Sequence, residues 1–254
     1  MAAQNSLLVA NRAAITRTVS TAAEKRAEEL AALLGPMLFP DGVPLNLTLI
    51  DFILALGSLL RSTQHGLEAK DRLLAKELGD DVAARDSRDA QRTHTRGSLI
   101  GTRAMIEGLF GPIGLARAGL TSAIPTDNDA VVQLCASAAH QIEVNDLGTA
   151  EGVTIDRPAL AAKLRNDGQA LGATLDHHQT EQRETQAARA ERDKEAELWL
   201  RVYPGVADVL AGLAFLVGRN DIADRVRPTA RRRAGEPVVV DLEPTDPVVG
   251  DPTE

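Results

Sequence analysis

The sequence predicts an all-α fold: an elongated antiparallel helical bundle built from long helical hairpins, with a disordered or extended C-terminal tail. Three observations carry the prediction. Ala and Leu fill the apolar positions, aromatic residues make up only 2% of the chain, and β-branched residues rarely cluster, all of which are helix-forming choices. No proline falls between Pro158 and Pro204 and no glycine between Gly172 and Gly205, a run that contains the polar stretch Asp176 to Glu197. At 254 residues, 44% hydrophobic and 25% charged, the chain is long enough to bury one or two cores.

A first helix is expected from about Ser6 to Leu34, where Leu8, Ile15, Val19, Ala22, Leu30 and Leu33 keep a helical spacing. Gly35-Pro36 should stop it, because proline disfavours helical geometry in the residue before it. Thr48-Leu49-Ile50-Asp51 has the form of a capping box and opens a second helix. There Leu49, Phe52, Ile53, Leu56, Leu59 and Leu60 surround most of the axis, which predicts a central place in the core. Gly79-Asp80-Asp81 reads as a stop and restart, giving an antiparallel hairpin of helices at about 48–78 and 81–110. Gly108, Gly111, Pro112 and Gly114 interrupt its second arm.

Thr126-Asp127-Asn128-Asp129 repeats the capping-box form and begins a short apolar helix to about Val144. Asp156-Arg157-Pro158 starts the long run, with Asp156 as cap and the proline in the first turn. Leu160, Leu164, Leu171 and Leu175 anchor one end of that run, and Ala196, Trp199, Leu200 and Tyr203 anchor the other. The part from Ala173 to Tyr203 alone would span about 46 Å. A turn at Pro204-Gly205 is expected to send Val206 to Val217 back against it. The helical domain therefore covers 1–227, divisible into sub-units 1–122 and 123–227, and a proline-rich acidic tail covers 228–254.

The formal charge of −8 is unevenly placed. Glu236, Asp241, Glu243, Asp246, Asp251 and Glu254 put −6 into residues 234–254, leaving −2 for the rest. A nearly neutral body argues against nucleic-acid binding by phosphate neutralisation. The single Cys135 excludes an intramolecular disulfide and any cysteine-based structural zinc site, and a reducing, cytoplasmic setting fits it. Leu45 to Leu60 is the most apolar run, yet it carries Asn46 and Asp51 and is too short to span a bilayer. The first 23 residues hold Arg12 and Arg17 and no acid, a composition that overlaps transit peptides. Their apolar spacing runs straight into the acidic segment Glu24 to Glu29, as in one continuous structural helix.

Chemistry-bearing constellations are few. None of His65, His94, His140, His177 or His178 has a glutamate three residues before it, so the helical di-iron signature is absent. His177 and Glu181 share a helix face, with Asp176 and His178 nearby, and form the candidate metal or catalytic set; a solvated polar stretch is the competing reading. Adjacent histidines point about 100° apart on a helix, which works against both holding one ion. Cys135 and His140 lie on different faces, and the cysteine reads as buried and structural. Gly108 to Gly114 lacks the strand and lysine of a phosphate loop, and Gly97 to Gly101 is only a glycine spacing.

Arg225, Arg227, Arg231, Arg232 and Arg233 form a basic cluster. It reads as a helix C-terminus whose arginines offset the macrodipole, with Arg231, Arg232 and Arg233 as the candidate anion-binding residues otherwise. Val238, Val239, Val240 and Leu242 form the one strongly strand-forming stretch, a candidate to add a strand to a partner's sheet.

Ionisable groups clustered on apolar faces, the mark of a catalytic site, are not evident in the pattern. The expected function is that of a non-enzymatic structural or protein-interaction protein, a component of a larger assembly that binds a protein partner or itself. No cofactor, nucleic acid or membrane span is expected. The competing classes are a metal-binding bundle or enzyme using Asp176, His177, His178 and Glu181, and an anionic-surface or nucleic-acid binder using Arg231 to Arg233.

Overall fold

Six helices account for nearly all of the residues 5–44, 46–148 and 155–234 that the computed structural model describes. They are α1 (Leu7–Leu38), α2 (Leu49–Arg117), α3 (Asn128–Val144), α4 (Arg157–Leu216), α5 (Asn220–Val226) and α6 (Ala230–Ala234). Among the described residues there is no strand. The fold is all-α, and Val238 to Leu242, together with the rest of the expected tail beyond Ala234, lies outside those residues.

Two compact units make up the chain. The first draws on the described residues of Met1–Ala75 and Arg189–Glu254, and the second is Lys76–Ala188. The division is not sequential, because α2 and α4 each contribute to both units; the sub-units expected at 1–122 and 123–227 were sequential. Each unit is built around three helical stretches, with α1 joining α2 and α4 in the first and α3 joining them in the second.

In the first unit the pairings run antiparallel between α1 and α2. Ser6 donates to Asp71 from its backbone N–H (2.5 Å) and hydroxyl (3.1 Å), Gln64 donates to the carbonyl of Val9 (3.3 Å), and Arg61 pairs with Glu24. Asp71 is buried, and the start of α1 supplies both the donors and the positive end of a helix dipole that a buried carboxylate needs. α4 runs against α2 through Lys70–Glu191 at 3.4 Å and through Gly66, beside the side chain of Glu195.

The core of this unit follows directly from helical spacing. Val9, Ile15, Val19, Ala23, Ala27, Leu30 and Leu34 line α1, and Ile53, Leu60 and Leu67 recur on α2 every seven residues. From α4 come Trp199, Tyr203, Val206, Ala207, Leu210 and Ala214, and from α5 Ile222, Ala223 and Val226. Trp199 and Tyr203 stack with centroids 4.8 Å apart at 14°. The indole N–H donates to the hydroxyl of Thr16 (2.9 Å), so the largest buried side chain leaves no orphan donor.

The second unit is antiparallel as well. Along α2 from Glu77 to Thr95, the partner on α4 falls from Thr185 to Asp167, each pair joined by a threonine hydroxyl donating to a backbone carbonyl at 3.2 Å. Its apolar core gathers Leu99 and Ile106 of α2, Val131, Cys135, Ala138 and Ile142 of α3, and Leu164 and Leu171 of α4. α3 and α4 approach closely at Gly168, where a Cβ would stand 2.8 Å from that of Cys135. Arg157 donates to the carbonyls of Ile142 (3.0 Å), Glu143 (3.0 Å) and Asn145 (2.5 Å), which closes the C-terminus of α3.

Three expected helix ends are absent. α1 continues through Gly35-Pro36 to Leu38; the pre-proline clash involves a Cβ that Gly35 lacks. α2 continues through Gly79-Asp80-Asp81, so the hairpin of 48–78 with 81–110 does not exist. The pairs Lys76–Asp80 (3.0 Å) and Arg85–Asp81 (3.1 Å), each four residues apart, support the helix where glycine weakens it by about 1 kcal/mol. α4 continues through Pro204-Gly205, because Trp199, Tyr203, Val206, Ala207 and Leu210 form one buried stripe across the proline.

Other signals act where they were read. Gly111 adopts φ 64° and ψ −166°, a left-handed break directly before Pro112 that divides α2 near its end. α2 starts at Leu49, directly after Thr48, and the Phe52 N–H makes an ordinary helical bond to the Thr48 carbonyl (3.1 Å), but among the described residues the side-chain bonds of the expected capping box at Thr48 and Asp51 are absent. Asp156 accepts from the N–H of Ala159 at 2.9 Å, the expected cap of α4. At α3 the cap is Asp127, one residue past the expected Thr126, accepting from Ala130 at 2.9 Å. By length and composition α4 contains a stretch apolar enough to cross a membrane, with mean hydropathy 1.3 and 33% of it buried, where the sequence reading found none.

Candidate functional site

Inside the second unit, α2 and α4 face each other across polar side chains. Asp81, Arg88, Thr95 and Thr102 recur every seven residues on α2, and Asp81, Thr95 and Thr102 are buried, as is Glu77 one turn before Asp81. α4 meets them with buried His178 and Thr185. The guanidinium of Arg88 lies 3.4 Å from Nδ1 of His178, and Nε2 of that ring lies 3.8 Å from Oδ1 of Asp81. Oδ2 of Asp81 accepts from Arg85 at 3.1 Å, while its Oδ1 is buried without a hydrogen bond. One turn away, a carboxylate oxygen from each of Glu77, Glu181 and Glu184 lies within 4.8 Å of the others. Lys76 Nζ stands 3.3 Å from Glu77 and supplies one compensating charge. An all-oxygen set of this kind suits a hard divalent cation such as Mg²⁺ or Ca²⁺ better than zinc.

The residues singled out from sequence divide between these surroundings. Asp176 and His177 are exposed, with His177 Nδ1 3.6 Å from Glu181. His178 turns inward to Arg88 and Asp81, as the 100° step between adjacent helical residues requires. Glu181 joins the glutamates. Asp176, His177, His178 and Glu181 therefore do not form one site. Glu77, Asp81 and Arg88 gave no sequence signal of their own, and the reading that ionisable groups do not cluster on apolar faces is corrected, since Glu77, Asp81 and His178 are buried together. The available signal was position: Asp81 and Arg88 continue the seven-residue register of Ile53, Leu60, Leu67 and Leu74.

Cys135 is fully buried, and burial first, then Asp167, pushes its thiol up to about 11, while His140 is exposed on another face. Gly97 and Gly101 face open space. Arg232 donates to the carbonyls of Arg225 (2.8 Å) and Arg227 (2.9 Å), serving the C-terminus of α5, and Arg233 lies 3.8 Å from Asp208. Arg231 is not free either. Val238, Val239, Val240 and Leu242 fall outside the described residues.

The first unit carries a different candidate surface. The head of α2 is apolar all round, but only one side of it is covered. Ile53 and Leu60 are fully buried, whereas Phe52 is 47% and Leu59 50% exposed, one heptad apart on the outer side. The central burial expected for this whole segment is thus corrected. Leu33 and Met37 of α1 and Phe215 of α4 are further large exposed apolar side chains in the same unit.

Comparison with protein-family models, with curated proteins and with solved structures returns no match.

Proposed function

We propose that this is a non-enzymatic helical protein that works by protein contact, as a component of a larger assembly in a reducing, cytoplasmic setting. The observation that carries the reading is the uncovered apolar side of α2, Phe52 and Leu59. A helix apolar on every side is ordinarily enclosed, and an outer apolar line on a water-facing helix marks a surface that another chain covers. The buried Cys135, with its thiol pushed up to about 11, is unsuited to nucleophilic work, in keeping with a role outside catalysis.

Light scattering on the full chain, on a chain ending at Ala234 and on Phe52→Glu/Leu59→Glu tests this. Concentration-dependent association in the first two and its loss in the third is expected. A full chain that stays monomeric at every concentration removes self-assembly. The alternative, a metal-binding bundle, is separated by elemental analysis: stoichiometric divalent metal in the purified protein, lost in Glu181→Gln, would replace the present reading.

A further inference from the structure

A cleft of about 660 Å³ opens in the first unit between α1 and α5. Arg17, Lys25 and Arg26 line it from α1 and Arg225 from α5, with Asp221 as its acid. Arg17, Thr21 and Lys25 are four residues apart in turn, so they stand on one helix face. Among the described residues the side chains of Arg17, Lys25 and Arg225 have no hydrogen-bond or ion-pair partner. Arg26 is paired with Glu29 on its own helix at 3.0 Å.

Asp221 does not neutralise this group. Both of its oxygens are taken by Arg219, at 2.9 and 2.7 Å, and that hydrogen bonding holds its carboxyl down at about 2. Three unpaired cations around one polar opening repel one another, and an anion laid among them relieves that repulsion.

The chain carries a matching polyanion. Residues 235–254 hold Glu236, Asp241, Glu243, Asp246, Asp251 and Glu254 and no lysine or arginine. Their point of departure is fixed close by, since α6 ends at Ala234 and Arg232 is bonded to the carbonyl of Arg225, on the rim of the cleft. An extended chain covers roughly 3.3 Å per residue, so reach does not limit the segment.

We propose that the acidic segment 236–254 of this chain occupies the cleft formed by Arg17, Lys25, Arg26 and Arg225, as an intramolecular counter-ion that competes with external polyanions.

Two measurements on the full chain test this. Carbodiimide at low ionic strength joins a lysine amine to a carboxylate in direct contact, and mass spectrometry of the monomer then identifies the pair. Lys25 should be joined to acids of 236–254 far more often than Lys163, with the link lost in 0.5 M salt and in Arg17→Ala/Arg225→Ala. Equal yields at Lys25 and Lys163, or Lys25 links confined to cross-linked dimers, would overturn the proposal; the second result would assign the cleft to another copy's segment.

The other measurement is binding of inorganic tripolyphosphate. Replacing the six acids by their amides should tighten it roughly tenfold, because a tethered competitor acts at millimolar effective concentration. The gain should vanish in Arg17→Ala/Lys25→Ala/Arg225→Ala. Unchanged affinity in the amide variant would rule out the segment as occupant.

Discussion

The two units use the same plan of three helical stretches with opposite solutions at the seam of α2 and α4. In the first, Ile53, Leu60 and Leu67 share one buried apolar cluster with the stacked Trp199 and Tyr203. In the second, the same seven-residue spacing places Asp81, Arg88, Thr95 and Thr102 there, opposite His178 and Thr185. Apolar burial of a large side chain stabilises by about 1.5–3 kcal/mol, whereas a satisfied hydrogen bond contributes about 1 kcal/mol net. The first seam therefore holds the fold together, and the second fixes which residues face each other at little gain in stability.

The first unit has its own polar exception. Arg12 is buried with its guanidinium 5.0 Å from the Trp199 ring centroid, and its Nε and Nη1 lack partners. Desolvation, then the charge of Arg192, lowers its pKa. The stacked aromatic face compensates part of that burial.

The largest expected effect tests the first seam. Trp199→Ala removes the stack, the bond to Thr16 and the ring beneath Arg12, and should cost about 3–5 kcal/mol in chemical denaturation. A loss below 1 kcal/mol would mean that the aromatic seam is not what holds the unit. The second seam should respond differently. Asp81→Ala leaves Arg88 and His178 facing each other unbalanced and should cost about 1–3 kcal/mol. Asp81→Leu combined with His178→Leu should be neutral or stabilising, since well-packed apolar pairs often match buried polar ones. A double variant as unstable as Asp81→Ala would show that the polar seam stabilises after all.

Alkali reaches both units. Burial pushes Cys135 up to about 11 from an ordinary 9.0 and Tyr203 up to about 12 from 10.0. Each group binds its proton more tightly folded than unfolded, so stability is intact below pH 9 and falls as pH rises toward the folded values. Thermal melts between pH 8 and 11 should show the decline, and Cys135→Ala should flatten its first part. Ellman's reagent should reach Cys135 only on unfolding. The smallest expected effect is that of Phe52→Glu/Leu59→Glu on folding, within about 0.5 kcal/mol, because both positions face water; a larger loss would mean that this side of α2 is core.

The class of fold, the cap of α4 and the break at Gly111 were legible because each is a local event written in adjacent residues, and the cap of α3 was read one residue early. The continuity of the helices was not, because Gly35-Pro36, Gly79 and Pro204-Gly205 are local stop signals overruled by packing along the whole helix. At Pro204 the stripe from Trp199 to Leu210 was in the sequence, and its unbroken spacing was the better guide. The candidate surfaces were less legible still. His178 meets Arg88 from 90 residues away in the chain, and the cleft joins Arg17 to Arg225, so neither forms a pattern in any sequence window.

The seven-residue register of the polar seam limits how this unit can change length. Losing one residue between Arg88 and Thr95 would turn Thr95, Leu99, Thr102 and Ile106 about 100° from their partners on α4 and α3. Removing seven there, with seven from α4 between Asp167 and His178, would return them to phase. Descendants of this chain should therefore tolerate insertions and deletions in α2 and α4 as matched pairs of whole heptads, and reject single-residue ones.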